Sequence, residues 1–159
     1  MQDLGVLGGF YSYGMAINNY NHVAGFSTIN ANDQRVHAFL YNGRSMIDLG
    51  TLGSKESGTD ISVALGVNSK DYVVGYTCLP TVGEMPVQQV AFLWREDPRG
   101  IGKMVNLNSL LNETGKNYLL ISATAINENG QIVATAHDIR NGSVRAVLLT
   151  PAPPTFVNN

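Results

Sequence analysis

The sequence predicts an all-β fold built from three four-stranded antiparallel repeats of about 50 residues each. A strand–turn–strand segment recurs three times along the chain, and an apolar segment rich in β-forming residues follows each copy. Charged residues make up only 14% of the 159 residues, and 17 residues are glycine. This composition favours turn-rich β structure, because surface helices carry charged faces and a typical soluble domain has about 25% charged residues.

The first hairpin of each repeat turns at an asparagine, whose side chain can accept a hydrogen bond from the backbone two residues later. These asparagines are Asn18, Asn68 and Asn127, and the residues three positions later are Asn21, Asp71 and Gly130. Asn, Asp and Gly are the residue types that best tolerate a positive φ. The sequence therefore predicts one shared turn, with a positive φ at all three later positions.

The strand before each turn carries two small residues spaced two apart. The pairs are Gly14 and Ala16, Ala64 and Gly66, and Ala123 and Ala125. Alternation along a strand would place both members of a pair on one face. Small side chains there allow another sheet to approach closely, so we expect this face to be the crowded one, nearest the axis of the repeat.

The second hairpin of each repeat starts with a near-continuous apolar strand, at residues 36–41, 90–94 and 144–149. Turn signals follow the first two of these strands, Asn42-Gly43 in one case and residues 97–100 in the other. Returning strands are expected at 46–50 and 104–107. Each repeat is therefore interpreted as two consecutive hairpins.

The third repeat shows no returning strand, because the prolines that follow Leu149 end strand pairing. At the other end of the chain, Met1-Gln2-Asp3-Leu4-Gly5 matches Met46-Ile47-Asp48-Leu49-Gly50. Unpaired strand edges are features that proteins avoid exposing. We therefore predict that residues 1–6 pair antiparallel with 144–149, in the same chain or in a neighbour, and close the last repeat.

Residues 1–151 are interpreted as a single repeat-built β domain, followed by a Pro-rich tail at 152–159. The repeats span roughly 6–50, 51–107 and 108–151, and residues 1–5 complete the last one. Units of this size resemble β-propeller blades, although propellers typically have four to eight of them. Three arrangements stay open: part of a larger propeller, two chains that form six blades, and a β-trefoil as the alternative fold.

At these residues the chain resembles the HAF family, which is named for its His-Ala-Phe motif and described as bacterial extracellular repeats. The matching segments are His37-Ala38-Phe39-Leu40, residues 48–53, Ile126-Asn127 with residues 130–133, and the closing stretch from 107–111 through 148–151. The second repeat has Val90 where the first has His37, and the third keeps only Ala146 of the motif. His37 is therefore not a requirement of the repeat. The resemblance implies an extracellular or cell-envelope location but no reaction or ligand.

Composition argues against several classes of partner. The formal net charge is −2 and the basic residues are scattered, so no basic stripe is present to contact nucleic acid. No apolar run approaches the ~20 residues of a membrane span, and the N-terminal residues have neither the basic segment nor the apolar core of a signal peptide. The single cysteine, Cys78, cannot form an internal disulfide and is interpreted as a small, partly buried apolar residue.

The sequence carries no recognisable motif for catalysis, cofactor binding or metal binding. Phosphate-binding loops and a nucleophile elbow are absent, and none of the three histidines (His22, His37 and His137) has a His or Cys partner at ligand spacing. We therefore predict no catalytic residue, no cofactor and no metal.

Four aromatic side chains are the candidate binding residues: Phe10, Tyr11 and Tyr13 in a Gly-flanked connection, and Tyr20 on a turn. Aromatic side chains on loops suit the binding of sugars or protein surfaces. The leading hypothesis is a non-enzymatic secreted or cell-surface module that binds a glycan or a protein. The alternatives are a self-assembling structural unit that completes a ring, and a hydrolase with a site at the ring centre.

Overall fold

A computed structural model of the chain describes residues 1–32, 35–54, 58–80 and 88–152. These residues form three antiparallel sheets of four, four and three strands, and the one helical element is a short 3-10 turn at Leu107–Leu110. The all-β prediction is confirmed. None of the described helical residues forms a segment long and apolar enough to span a membrane.

Sheet 1 and sheet 2 have the same construction. Sheet 1 contains β1 (Ser12–Ile17), β2 (Val23–Thr28), β3 (Val36–Tyr41) and β4 (Met46–Asp48), and sheet 2 contains β5 (Ser62–Val67), β6 (Val73–Leu79), β7 (Gln88–Glu96) and β8 (Gly102–Asn106). In both sheets the strands are ordered as in the chain, and each strand pairs with the next as a hairpin. The predicted second hairpins are therefore present in both repeats.

Sheet 3 has three strands: β9 (Tyr118–Ile126), β10 (Ile132–Asp138) and β11 (Val144–Leu149). Strand β10 lies between the other two and is antiparallel to both. The sheet therefore repeats the first three strands of sheets 1 and 2.

The first hairpins share one turn, as predicted. The φ values are +63° at Asn21, +57° at Asp71 and +77° at Gly130. In each turn the residue with positive φ donates its N–H to the carbonyl of the asparagine three positions earlier, at 3.0–3.1 Å. The prediction of a positive φ at all three positions is confirmed.

A β-bulge lies between the two small residues that precede each turn, and it changes which faces they occupy. Gly14 pairs with Gly25 and Ala16 pairs with Ala24, so Met15 is the extra residue of the bulge. Because Gly25 and Ala24 are adjacent, they point to opposite faces, and so do their partners. The expectation that both small residues share one face is therefore wrong. The same shift occurs between Ala64 and Gly66 and between Ala123 and Ala125.

The sheets stack in chain order, with sheet 2 between sheets 1 and 3. Strand β5 packs against β1, β2 and β3, and strand β9 packs against β5, β6 and β7. The close approach that small residues were expected to permit is confirmed at Gly66, where a Cβ would lie only 3.1 Å from the Cα of Ala125 in sheet 3. One apolar core lies between sheets 1 and 2, around Phe92 and Trp94, and a second lies between sheets 2 and 3, around Leu120 and Ile132.

The prediction that residues 1–6 close the last repeat within the chain is wrong. These residues form no strand, and the Gln2 amide Nε2 donates to the Tyr41 hydroxyl of sheet 1 at 2.8 Å. Within the described part of the chain, β11 is hydrogen-bonded only to β10. The reason is that residues 3–9 lead directly into β1, which ties residues 1–3 to sheet 1, and sheet 2 separates sheet 1 from sheet 3. A closed propeller or trefoil stays a prediction, and most of the predicted Pro-rich tail, 153–159, lies outside the described residues.

Candidate functional site

Three of the four predicted aromatic residues lie together beside the start of β1. The rings of Tyr13 and Phe26 stack, with centroids 5.0 Å apart and planes 20° apart, and Tyr11 meets Tyr13 edge to face at 5.9 Å. Phe10 is next along the chain and is 79% exposed. We call Phe10, Tyr11, Tyr13 and Phe26 the aromatic patch. Phe26, on the neighbouring strand, was not among the predicted residues.

The loop that carries the aromatic patch is fixed by one side chain. The Thr28 hydroxyl accepts the N–H groups of Phe10 and Tyr11, at 2.9 and 3.2 Å. Thr28 is buried, its carbonyl accepts the N–H of Gly9, and its own N–H donates to the Tyr11 carbonyl. An exposed aromatic loop with its backbone bonded in this way is ordered before a ligand arrives, which lowers the entropy lost on binding.

The fourth predicted residue, Tyr20, does not join the aromatic patch. It lies on the hairpin at the far end of β1, where its N–H donates to the Asn18 side chain at 2.9 Å. Its ring is exposed and tilted against His22, with centroids 6.3 Å apart. Grouping Tyr20 with the other three as a single site is therefore not supported by the fold.

His37, the first residue of the His-Ala-Phe motif, is the centre of a charged network between sheets 1 and 2. Its Nδ1 lies 2.9 Å from Asp48, at the end of β4, and its Nε2 lies 3.0 Å from Asp60, which precedes β5. Arg35 forms an ion pair with the other oxygen of Asp60. Both ring nitrogens of this buried histidine are therefore bonded within the protein.

The two acidic partners change the titration of His37. Burial lowers the pKa of His37, but the hydrogen bonds and charges of Asp48 and Asp60 outweigh burial and raise the pKa above 6.5. The pKa of Asp48 moves the other way: burial raises it, but hydrogen bonds from His37 and the Gly50 N–H lower it below 3.8. The charged pair is thus stabilised, which fits a structural connection between the two sheets.

A ladder of asparagines links the three turns and was not predicted from the sequence. The Asn18 side chain donates through Nδ2 to the backbone carbonyl of Asn68 at 2.9 Å, and the Asn68 side chain donates in the same way to Asn127 at 3.1 Å. The Oδ1 of each asparagine accepts the N–H groups two and four residues later in its own turn. The recurrence of Asn at one position of every repeat was the signal for this ladder.

A groove of about 800 Å³ lies beside the free edge of sheet 3. Its apolar wall comes from sheet 2, the 3-10 turn and the residue after it, and sheet 3, and includes Leu93, Leu107, Leu111, Ile132, Val147 and Leu149. No cluster of His, Cys, Asp or Glu suited to a metal ion was found among the described residues. Burial raises the pKa of the Cys78 thiol, which makes this side chain less reactive rather than more.

Comparison with known proteins identifies a family for the chain. A family model described as "Protein of unknown function (DUF3466)" matches residues 8–146. No curated protein and no solved structure matches the chain.

Proposed function

Because the chain belongs to the DUF3466 family, whose function is unknown, we propose its function from its own geometry: a non-enzymatic module that binds a glycan through the aromatic patch. The observation that carries this proposal is the exposed ring of Tyr13, stacked on Phe26, together with the exposed Phe10 on the ordered loop that leads to it. Sugar rings present flat C–H surfaces that stack on aromatic faces. The adjoining loop supplies one amide side chain, Asn32, of the kind that bonds sugar hydroxyls.

The hydrogen bonds of His37 argue against its use as a general base. A general base must reach a substrate proton through a ring nitrogen. In this chain Asp48 and Asp60 occupy both nitrogens of His37, which is buried. An extracellular or cell-envelope setting belongs to the proposal as well, and it rests on the resemblance to HAF repeats alone.

Affinity electrophoresis in gels that contain neutral polysaccharides tests the proposal. We expect one of a panel of glucans, mannans and xylans to retard the protein. The double change Phe10→Ala and Tyr13→Ala should weaken binding by about 2 kcal/mol, which is roughly thirty-fold in Kd, since each aromatic contact is worth about 1 kcal/mol. Tyr20→Ala is the matched control, because Tyr20 is also exposed but lies outside the patch. Equal retardation of the double variant and the wild type would contradict the proposal, and a protein that no polysaccharide retards would favour a protein ligand instead.

A further inference from the structure

The contact between sheets 1 and 2 and the contact between sheets 2 and 3 use equivalent residues. The two surfaces that would form a third contact of this kind are exposed, one on sheet 1 and the other on sheet 3. We call the face of a sheet that looks toward the next sheet in the chain its following face, and the opposite one its preceding face. Leu40 on the following face of sheet 1 is 2% exposed, whereas the equivalent Leu148 of sheet 3 is 63% exposed. On the preceding faces, Val67 of sheet 2 is 8% exposed, whereas the equivalent Ile17 of sheet 1 is 64% exposed. The exposed following face of sheet 3 is therefore equivalent to a surface that is buried between sheets 1 and 2. The exposed preceding face of sheet 1 is equivalent to the surface that buries it.

The asparagine ladder ends at these same two faces. The Asn68 carbonyl accepts both the Asp71 N–H and the side chain of Asn18. At one end of the ladder, the Asn18 carbonyl accepts the N–H of Asn21 and lies where a further ladder bond would arrive. At the other end, the Asn127 side chain points back to Gln131 in its own turn, at 2.8 Å. One more sheet-to-sheet contact would join donor Asn127 to acceptor Asn18.

The turn at residues 3–5 already has the geometry of the turn that follows the fourth strand of sheet 1 and leads into the next sheet. Gly5 has φ +84° and its N–H donates to Asp3 at 2.9 Å, as Gly50 has φ +68° and donates to Asp48 at 2.8 Å. The hydroxyl of Ser12 donates to the Gly5 carbonyl at 2.7 Å. Ser62 donates to Gly50 in the same way, at 2.6 Å. Since Met46–Asp48 is strand β4 of sheet 1, residues 1–3 correspond to the fourth strand of a sheet that would precede sheet 1.

The groove beside β11, which we call the edge groove, lies where a fourth strand of sheet 3 would place a side chain. In sheet 2, Met104 on the fourth strand pairs with Trp94 and is buried in the core against sheet 1. The same register in sheet 3 places Met1 opposite Leu149, on the face toward sheet 2. There its side chain would enter the groove between Leu107 and Ile132. In the single chain Met1 is fully exposed and the groove is open.

We infer that two copies of this chain associate head to tail. Residues 1–3 of one copy pair antiparallel with β11 of the other, Met1 fills the edge groove, and sheet 1 packs on the following face of sheet 3. The partner is a second copy because both halves of the contact, including the ladder donor and its acceptor, are present in this one sequence. Two such contacts in a dimer would bring six sheets together, within the usual range of four to eight propeller blades.

Sedimentation velocity of the intact chain over a range of concentrations tests the association. We expect the wild type to reach twice 17.1 kDa, and expect Leu148→Lys or Ile17→Lys to remove the dimer. Both side chains are exposed in the single chain, so neither change should unfold it, and circular dichroism checks this. Ile101→Lys is the matched control, because Ile101 is exposed at the β7–β8 turn, away from both faces.

Mixing the two lysine variants tests the head-to-tail arrangement. The Ile17→Lys chain keeps an intact sheet 3 and the Leu148→Lys chain keeps an intact sheet 1, so the mixture should form a complex although neither variant does so alone. A wild type that sediments as a monomer at every concentration would overturn the inference. So would a Leu148→Lys chain that dimerises like the wild type, or a mixture that stays monomeric.

Discussion

The buried asparagine of the central turn should contribute several times more stability than its exposed counterpart at the end of the ladder. Asn68 is buried between the turns of sheets 1 and 3, whereas Asn127 occupies the same position of the last turn and is exposed. The informative perturbation is therefore a matched pair of changes, Asn68→Ala and Asn127→Ala. Both remove the same side chain from the same kind of turn.

The expected magnitudes come from the bonds that each change removes. Asn68 accepts the N–H groups of Lys70 and Tyr72 at 3.0 and 3.1 Å and donates to Asn127 at 3.1 Å. Three hydrogen bonds at about 1 kcal/mol each predict a loss of about 3 kcal/mol. Asn127 makes the same two bonds to its own turn, but water can replace them at an exposed site, so its removal should cost about 1 kcal/mol.

Urea denaturation measures the difference, with the single tryptophan, Trp94, as the fluorescent probe because it lies in the core between sheets 1 and 2. The free energy of unfolding is extrapolated to water for the wild type and both variants, at a protein concentration where all are monomeric. A gap of about 2 kcal/mol between the variants is expected. Equal losses, or a larger loss for Asn127→Ala, would refute the assignment of the ladder as a stabilising contact between sheets.

Three further predictions concern the network, the packing and the thiol. Because the pKa of His37 is raised, the stability that its protonated form contributes is complete below pH 6.5 and is lost as pH rises through the higher folded-state pKa. Because the pKa of Asp48 is lowered, the stability that its carboxylate contributes is present above pH 3.8 and is lost as pH falls through the lower folded-state pKa. Urea midpoints measured against pH should therefore be constant between these limits and fall on either side of them. Both falls should be smaller in His37→Gln, and an unchanged profile in that variant would count against the network. Gly66→Ala should cost about 1–3 kcal/mol in urea denaturation, since the new methyl group would meet a backbone carbon of sheet 3 at 3.1 Å. Gly14→Ala should cost less, because its methyl group would meet only one side-chain methyl of Val23, at 3.3 Å, and no backbone atom. Cys78 should react with a thiol reagent at pH 8 more slowly in the folded protein than in urea, and equal rates would contradict the burial that raises its pKa.

Local features of the fold were predictable from the sequence because the repeat shows them three times. Asn21, Asp71 and Gly130 share little beyond tolerance of a positive φ, so their recurrence at one position identified the turn dihedral. The second hairpins followed from apolar strands separated by turn residues, such as Asn42-Gly43.

Features that depend on strand register or on contacts between repeats were not predictable in the same way. The bulge at Met15 inserts one residue without a change of pattern in the sequence, and that single insertion moves Gly14 and Ala16 to opposite faces. The match of residues 1–5 to 46–50 correctly indicated a shared turn, at Gly5 and Gly50, but not a paired strand in the same chain, because the connection into β1 ties residues 1–5 to sheet 1. The aromatic patch was located through Phe10, Tyr11 and Tyr13, but no sequence pattern indicated that Phe26 stacks on Tyr13.

A register-specific disulfide between two copies tests the head-to-tail association most directly. The pairing of β3 with β4 places Phe39 opposite Asp48, and the same register places Val147 opposite Asp3 of a second copy. Directly opposite residues of antiparallel strands have Cβ atoms about 4.5–5.5 Å apart, close enough for a bond after a small adjustment.

Two single variants, Asp3→Cys and Val147→Cys, would each be prepared in a Cys78→Ser background and mixed under mild oxidation. We expect the mixture to give a disulfide-linked species of twice 17.1 kDa much faster than a mixture in which Ile101→Cys replaces Val147→Cys. Equal rates of cross-linking in the two mixtures would contradict the pairing of residues 1–3 with β11, and with it the head-to-tail association.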